Sequence, residues 1–133
     1  MTDATLARTA VATTDAPAAI GPYSQAIRQG ELLWCSGAIP LDPASGELVT
    51  DSPAAETTRC LENLQAVCRA AGGELGDALR LTVYTTQLER FAEINEAYGA
   101  FFPDVPPARV TIGVSALPKG AHVEIDAVVA LAA

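Results

Sequence analysis

The sequence predicts an α+β domain in which two helices pack on one face of a mixed β-sheet, and three observations carry that expectation. First, Ser52 and Pro53 read as an N-cap and first helical position. Thr57, Leu61, Leu64, Cys68 and Ala71 then recur at helical spacing until Gly72-Gly73, the pattern of an amphipathic helix. Second, Leu79, Leu81, Val83 and Thr85 alternate with Arg80, Thr82, Tyr84 and Thr86 as in a half-buried strand. Phe91, Ile94, Tyr98 and Phe101 follow on one stripe of a second helix that Pro103 stops. Third, Leu32-Leu33-Trp34-Cys35 and Val128-Val129-Ala130-Leu131 are apolar on both faces, unlike strands with one solvated side. Helices can cover only one face of the sheet, so the other is expected to meet another subunit.

The remaining elements follow from turn residues. Thr9 to Thr13 starts a strand that Asp15-Ala16-Pro17 and Ile20-Gly21-Pro22 break, while Tyr23 to Gln29 and Glu31 to Ser36 flank Gly30 as a hairpin. Asp42-Pro43-Ala44-Ser45-Gly46 is a turn, and Arg109 to Val114 and Ala121 to Ala130 are two strands around Leu117-Pro118-Lys119-Gly120. No internal repeat or linker composition interrupts the 133 residues, so residues 1–133 are expected to form one domain.

Composition narrows the function. Eight basic against sixteen acidic residues leave a net charge of -8, a field that repels phosphate backbones and anionic membrane surfaces. Cys35, Cys60 and Cys68 lack paired spacing and read as reduced thiols of a cytosolic protein. The Met1–Thr5 start has no basic or apolar leader, and no run approaches the roughly 18 apolar residues a membrane span needs, so a cytoplasmic protein is expected. Half of the residues are hydrophobic, which for so small a domain points to apolar area hidden between copies of the chain.

Arg109, Thr111 and Gly113 alternate with Val110, Ile112 and Val114, and Glu124 and Asp126 alternate with Val123 and Ile125. Paired as a hairpin, the two strands would bring Arg109 and Glu124 to one polar face. A guanidinium there could hold a small carboxylate by two parallel hydrogen bonds, beside a carboxylate able to position or deprotonate water. A structural ion pair is the commoner outcome for two such residues alone; the small residues of the first strand favour a ligand. Tyr23 is either a pocket wall with a hydroxyl or a packed aromatic, Ser36-Gly37 either a source of backbone donors or a turn, and Asn95 either a helix-surface amide or a pocket contact. His122 is the only histidine, which excludes a zinc site with several His ligands, and by itself reads as a surface residue. With no G-x-S-x-G, no phosphate-cradling Gly loop and helix cysteines that read as packing, the expected chemistry is non-covalent, with no metal and no cofactor.

Six blocks, in order and spacing, carry a resemblance over nearly the whole chain: Ala18-Ala19-Ile20-Gly21-Pro22-Tyr23-Ser24-Gln25, Ser36-Gly37-Ala38-Ile39-Pro40, Gly46-Glu47, Pro107-Ala108-Arg109, Leu117-Pro118-Lys119 and Val123-Glu124-Ile125. Together they resemble the Rid family, also called YjgF, of reactive-intermediate deaminases. The resemblance implies a chorismate-mutase-like fold, a homotrimer with active sites between subunits, and hydrolysis of 2-imino acids such as 2-iminopropanoate and 2-iminobutanoate to 2-keto acids and ammonia. Residue by residue it implies that Arg109 grips the substrate carboxylate and Glu124 orders the attacking water. It also implies that Tyr23, Ser36, Gly37 and Asn95 line the pocket. Thr111 stands where the best-known deaminases have Cys, a change of size and polarity that bears on substrate preference. The short loop between Phe102 and Pro107 bears on the pocket rim. Competing expectations are a regulatory trimer that binds small acids without turnover, kept open by Thr111, and a ribonuclease. The acidic charge and single histidine argue against the latter, and no feature supports a holdase role.

Overall fold

The computed structural model describes residues 7–132, so the Met1–Thr5 leader lies outside the described residues. Its elements run β1 (Arg8–Val11), β2 (Ala26–Gln29), β3 (Leu32–Ala38), α1 (Pro53–Ala70), β4 (Ala78–Thr85), α2 (Phe91–Gly99), β5 (Ala108–Gly113) and β6 (Val123–Ala130). Ser52 caps α1 as expected: its Oγ accepts a hydrogen bond from Ala55 N at 3.1 Å, and Pro53 fills the first turn, where no donor is missed. At the other end Gly72 turns left-handed with φ 82° and Gly73 N returns to Cys68 O, satisfying carbonyls the helix would leave open. Two expected ends move inward. Tyr23 N bonds to Gly21 O in a tight turn, so β2 starts only at Ala26, and α2 stops at Gly99, with Phe101 in the following turn.

The strands form one sheet in the order β1-β2-β3-β6-β4-β5, antiparallel throughout except for the parallel β4/β5 pair. The mixed sheet is as expected. The final hairpin is not: β5 and β6 never pair, because α2 returns β5 parallel to the outer edge of β4 while β6 inserts between β3 and β4. The composition of β6 explains its place. Val123, Ile125, Ala127 and Val129 are all essentially inaccessible, which needs partner strands on both edges and a helix above.

Both helices lie on one face, where Leu61, Leu64 and Cys68 of α1 and Ile94 and Tyr98 of α2 pack with Leu33, Leu81, Val83, Ile125 and Val129. Leu79 departs from the expected alternation. β4 carries a bulge between Ala78 and Arg80, so Ala78 turns inward and Leu79 is left 50% exposed beside Arg80. The opposite face exposes Trp34 on β3 and, separately, Val110 and Ile112 on the edge strand β5, with Arg80, Thr82, Tyr84 and Asp126 between them. No helix among the described residues is long and apolar enough to cross a membrane.

Asn63 fastens α1 to the segment after β3. It is 2% exposed, donates to Ile39 O (3.3 Å) and Leu41 O (2.9 Å), and accepts from Arg59 Nη2 at 2.8 Å. Asn63→Ala is expected to lower stability by about 2 kcal/mol, since it leaves Leu41 O unpaired and Ile39 O with only its bond from Leu41 N; urea unfolding checks this.

Candidate functional site

The expected site residues fall into two groups, held by different parts of the sheet. The first gathers around Glu124. Cys35 pairs with Ala127 and Ala38 with Ile125, so a bulge sets Ser36 and Gly37 together against Asp126. This bulge lets Glu124 lie flat on β3: a methyl group on Gly37 would come within 3.0 Å of the Glu124 Cδ and closer still to its Oε2. A glycine is therefore required for close approach, not for an unusual backbone angle. Ser36 is held by its neighbours, its Oγ donating to Ser24 O at 2.6 Å and its N to Gln25 O at 3.0 Å.

Tyr23, half exposed, accepts from Ile20 N at 3.1 Å, and Tyr23, Ser36 and Gly37 line one pocket of about 50 Å³. Gln25 braces that pocket's wall. Its Oε1 accepts from Thr13 N at 2.7 Å and its Nε2 donates to Pro17 O at 2.8 Å.

Glu124 is tuned from two directions. Partial burial pushes its carboxyl above the ordinary range, and the neighbouring Asp126 charge, on the same side of β6, pushes it further. Tyr84 faces Glu124 across the β4/β6 pair and donates from its hydroxyl to Asp126 Oδ2 at 3.0 Å, which fixes that second carboxylate. The strand is pinned just upstream by His122. Fully buried Glu56 accepts from His122 N at 2.8 Å and meets His122 Nδ1 at 2.7 Å, while His122 O accepts from Thr85 Oγ1 at 2.8 Å. The histidine read as a surface residue is thus tied to a buried carboxylate. Its side chain remains 39% exposed, and the pairing was invisible in sequence because Glu56 lies on another element.

The second group surrounds Arg109 on the edge strand β5. The guanidinium carbon lies 4.8 Å from the centroid of the Tyr98 ring and 5.6 Å from that of Phe91, both on α2. Among the described residues it makes no hydrogen bond and no ion pair, so its N–H donors are unspent. Thr111 Oγ1, Asn95 Oδ1 and the Tyr98 hydroxyl are buried without partners in the same α2/β5 region.

The two groups do not meet within one chain, contrary to the single polar face expected from alternation. Leu81, buried under the helices, pairs with Arg109 across β4/β5, whereas Tyr84 on the other face pairs with Glu124 across β4/β6. Thr111 therefore shares the face of Arg109 and not that of Glu124. The structural ion pair is excluded within the chain by the same geometry. Sequence alternation gave each strand its own two faces correctly, but with β4 interposed nothing links the parity of β5 to that of β6. The sequence reading also left Phe91 and Tyr98 in a core stripe; the signal available was their seven-residue spacing on the helix that precedes the arginine strand.

The three cysteines are free and buried. Burial raises the Cys60 thiol, and the hydrogen bond with Cys68 followed by burial raises that of Cys35, so neither is a ready nucleophile.

Comparison with known proteins agrees with this architecture. The model of the family described as Endoribonuclease L-PSP matches residues 13–131. The RutC family protein y4sK of Sinorhizobium fredii is 50% identical over 121 residues, 91% of this chain and 96% of that protein. The mouse protein named 2-iminobutanoate/2-iminopropanoate deaminase is 40% identical over 121 residues, 91% of this chain and 90% of that one. The crystal structure of the YjgF gene product from E. coli superposes with a TM-score of 0.88 at 38% identity, covering 92% of this chain and 98% of that one. With the matched span, the identities and the shared fold in agreement, this chain belongs to the Endoribonuclease L-PSP family, the YjgF/RutC/Rid family its sequence blocks resemble.

Proposed function

We propose that the protein hydrolyses small 2-imino acids, such as 2-iminopropanoate and 2-iminobutanoate, to 2-keto acids and ammonia, at sites completed between neighbouring copies in a chorismate-mutase-like homotrimer. The observation that carries this reading is Arg109: a half-buried guanidinium held over two rings with every N–H donor free is a receptor for a carboxylate. The identity to mammalian proteins named as deaminases of these imines supports the substrate class. Because Arg109 and Glu124 occupy opposite faces, the two act on one substrate only if each comes from a different copy. Exposed Val110 and Ile112 on the edge strand β5, with Trp34 further across the same face, supply apolar surface for such a contact. The free, buried thiols suit a reducing, cytoplasmic setting.

The chemistry asks little of the protein. The protonated imine carbon is already electrophilic, so Arg109 fixes the carboxylate and with it the carbon to be attacked. Glu124 takes a proton as water forms the new C–O bond, giving a carbinolamine. It then returns that proton to nitrogen and accepts the carbinolamine hydroxyl proton as the C–N bond breaks, so the 2-keto acid and ammonia leave and the remaining proton passes from Glu124 to ammonia, giving ammonium. A carboxylate with a raised pKa is a better base than an ordinary one. Nothing in this sequence calls for a metal or a covalent intermediate.

The second reading, a trimer that binds small acids without turning them over, draws on the unpartnered Thr111 hydroxyl beside Arg109. One assay separates the two. 2-Iminobutanoate is generated in situ with an amino-acid oxidase, and its decay is followed with and without the protein. Accelerated decay is expected; binding of 2-ketobutyrate without acceleration would favour the regulator. In the same assay Gly37→Ala is expected to lower turnover by tenfold or more, roughly the cost of misplacing a catalytic group, because the new methyl group displaces Glu124. Unchanged turnover would remove the Gly37 contact from the mechanism.

A further inference from the structure

We propose that Phe91 and Tyr98 form an aromatic cradle that positions the Arg109 guanidinium for the ligand carboxylate. This rests on the reading of Arg109 as the carboxylate clamp and adds the means by which the clamp is set before a ligand arrives.

Arg109 stands on an edge strand, and an arginine there has several rotatable bonds and a large rotamer freedom to lose when it binds. Proteins commonly restrain such a side chain with a carboxylate. Here a carboxylate partner would occupy the N–H donors that the ligand needs. A π face restrains a cation through its centre and leaves the in-plane donors free. The Arg109 guanidinium has two such faces within reach, at 4.8 and 5.6 Å, and no acidic partner among the described residues.

The rings themselves are placed for this use. Phe91 and Tyr98 lie two turns apart on α2 and so share one side of it. Tyr98 is 5% exposed and locked against Phe102, with ring centroids 4.9 Å apart, so its face cannot drift. Its hydroxyl is buried with no partner among the described residues, so the contact Tyr98 makes with Arg109 is through its ring. Phe91 is 39% exposed, an aromatic that packing alone would have drawn into the core with Ile94.

The test uses the full chain, 2-ketobutyrate as the binding probe, and the imine-decay assay. Phe91→Leu is the primary variant, since an exposed position tolerates it, and Tyr98→Phe is the conservative control that keeps the ring. For Phe91→Leu we expect 2-ketobutyrate binding to weaken and KM to rise about five- to tenfold, the size of a lost cation–π contact, with kcat changed much less. We expect Phe91→Tyr to restore both and Tyr98→Phe to bind as wild type. The Arg109 Nε–H resonance should move away from its ring-shifted position in Phe91→Leu alone, a change that a general loss of stability does not produce. Wild-type binding and KM in Phe91→Leu, with imine decay still accelerated, would overturn the cradle while leaving the deaminase intact. Weakened binding in Phe91→Leu, with no acceleration by the wild type, would keep the cradle and overturn the deaminase. A wild type that fails to bind 2-ketobutyrate overturns the cradle as a carboxylate device.

Discussion

Arg109→Ala is expected to bring imine decay back to the rate without protein while the assembly stays intact. The two parallel hydrogen bonds of a guanidinium to a carboxylate are charge-assisted, and losing both costs on the order of 3–5 kcal/mol, roughly a factor of 10²–10³ or more in kcat/KM. The fold has little stake in the side chain. Arg109 has no hydrogen bond or ion pair to break among the described residues, and its loss removes only contacts with the Tyr98 and Phe91 rings. Size-exclusion and thermal unfolding should therefore match wild type. Wild-type decay rates in this variant would sink the assignment of Arg109 as the clamp.

Glu124→Gln should collapse turnover with ligand binding largely kept, because the amide accepts no proton; loss of a general base typically costs 10²–10⁴-fold. Two further readouts separate this from misfolding. The wild-type rate should fall as pH drops through the Glu124 pKa, and that acidic limb should lie above the ordinary carboxylate value of 4.5, because burial and the Asp126 charge both disfavour the ionised form. Stability runs the other way. A carboxyl whose folded pKa is raised binds its proton more tightly in the folded state, so the stability it contributes is complete below the unfolded pKa and is lost as pH rises through the raised value. Above the raised pKa the ionised Glu124 is a burden, and there the glutamine variant is expected to melt no lower than wild type. Mixing the two inactive variants then tests the shared site: after subunit exchange in a trimer, about a quarter of the sites would regain both native residues. Exchange without any recovery would place Arg109 and Glu124 in separate functions.

Much of this architecture was legible in residue patterns. Ser52-Pro53 and Gly72-Gly73 bracket α1 because capping chemistry is local, and the alternation of β6 survives intact because every second residue of it is buried. Register between distant strands was not legible. The bulge that turns Leu79 outward and the insertion of β6 between β3 and β4 depend on partners far away in sequence, and with them went the inference that Arg109 and Glu124 share a face. The same limit hid the Glu56–His122 pair and the seat of Glu124 on Gly37. Types of residue were informative about chemistry; only the fold could say which of them stand together.

The central place of β6 has a consequence for how the protein is made. Until Val123–Ala130 arrive, β3 and β4 have no strand between them, and each presents an open, apolar edge to any other chain. Pairing Leu33 with Val129 joins distant parts of the chain, the kind of long-range contact whose loop-closure entropy slows folding. The same strand carries Glu124. A chain cut before Val123 would therefore lose the middle strand of the sheet and the Glu124 carboxylate together.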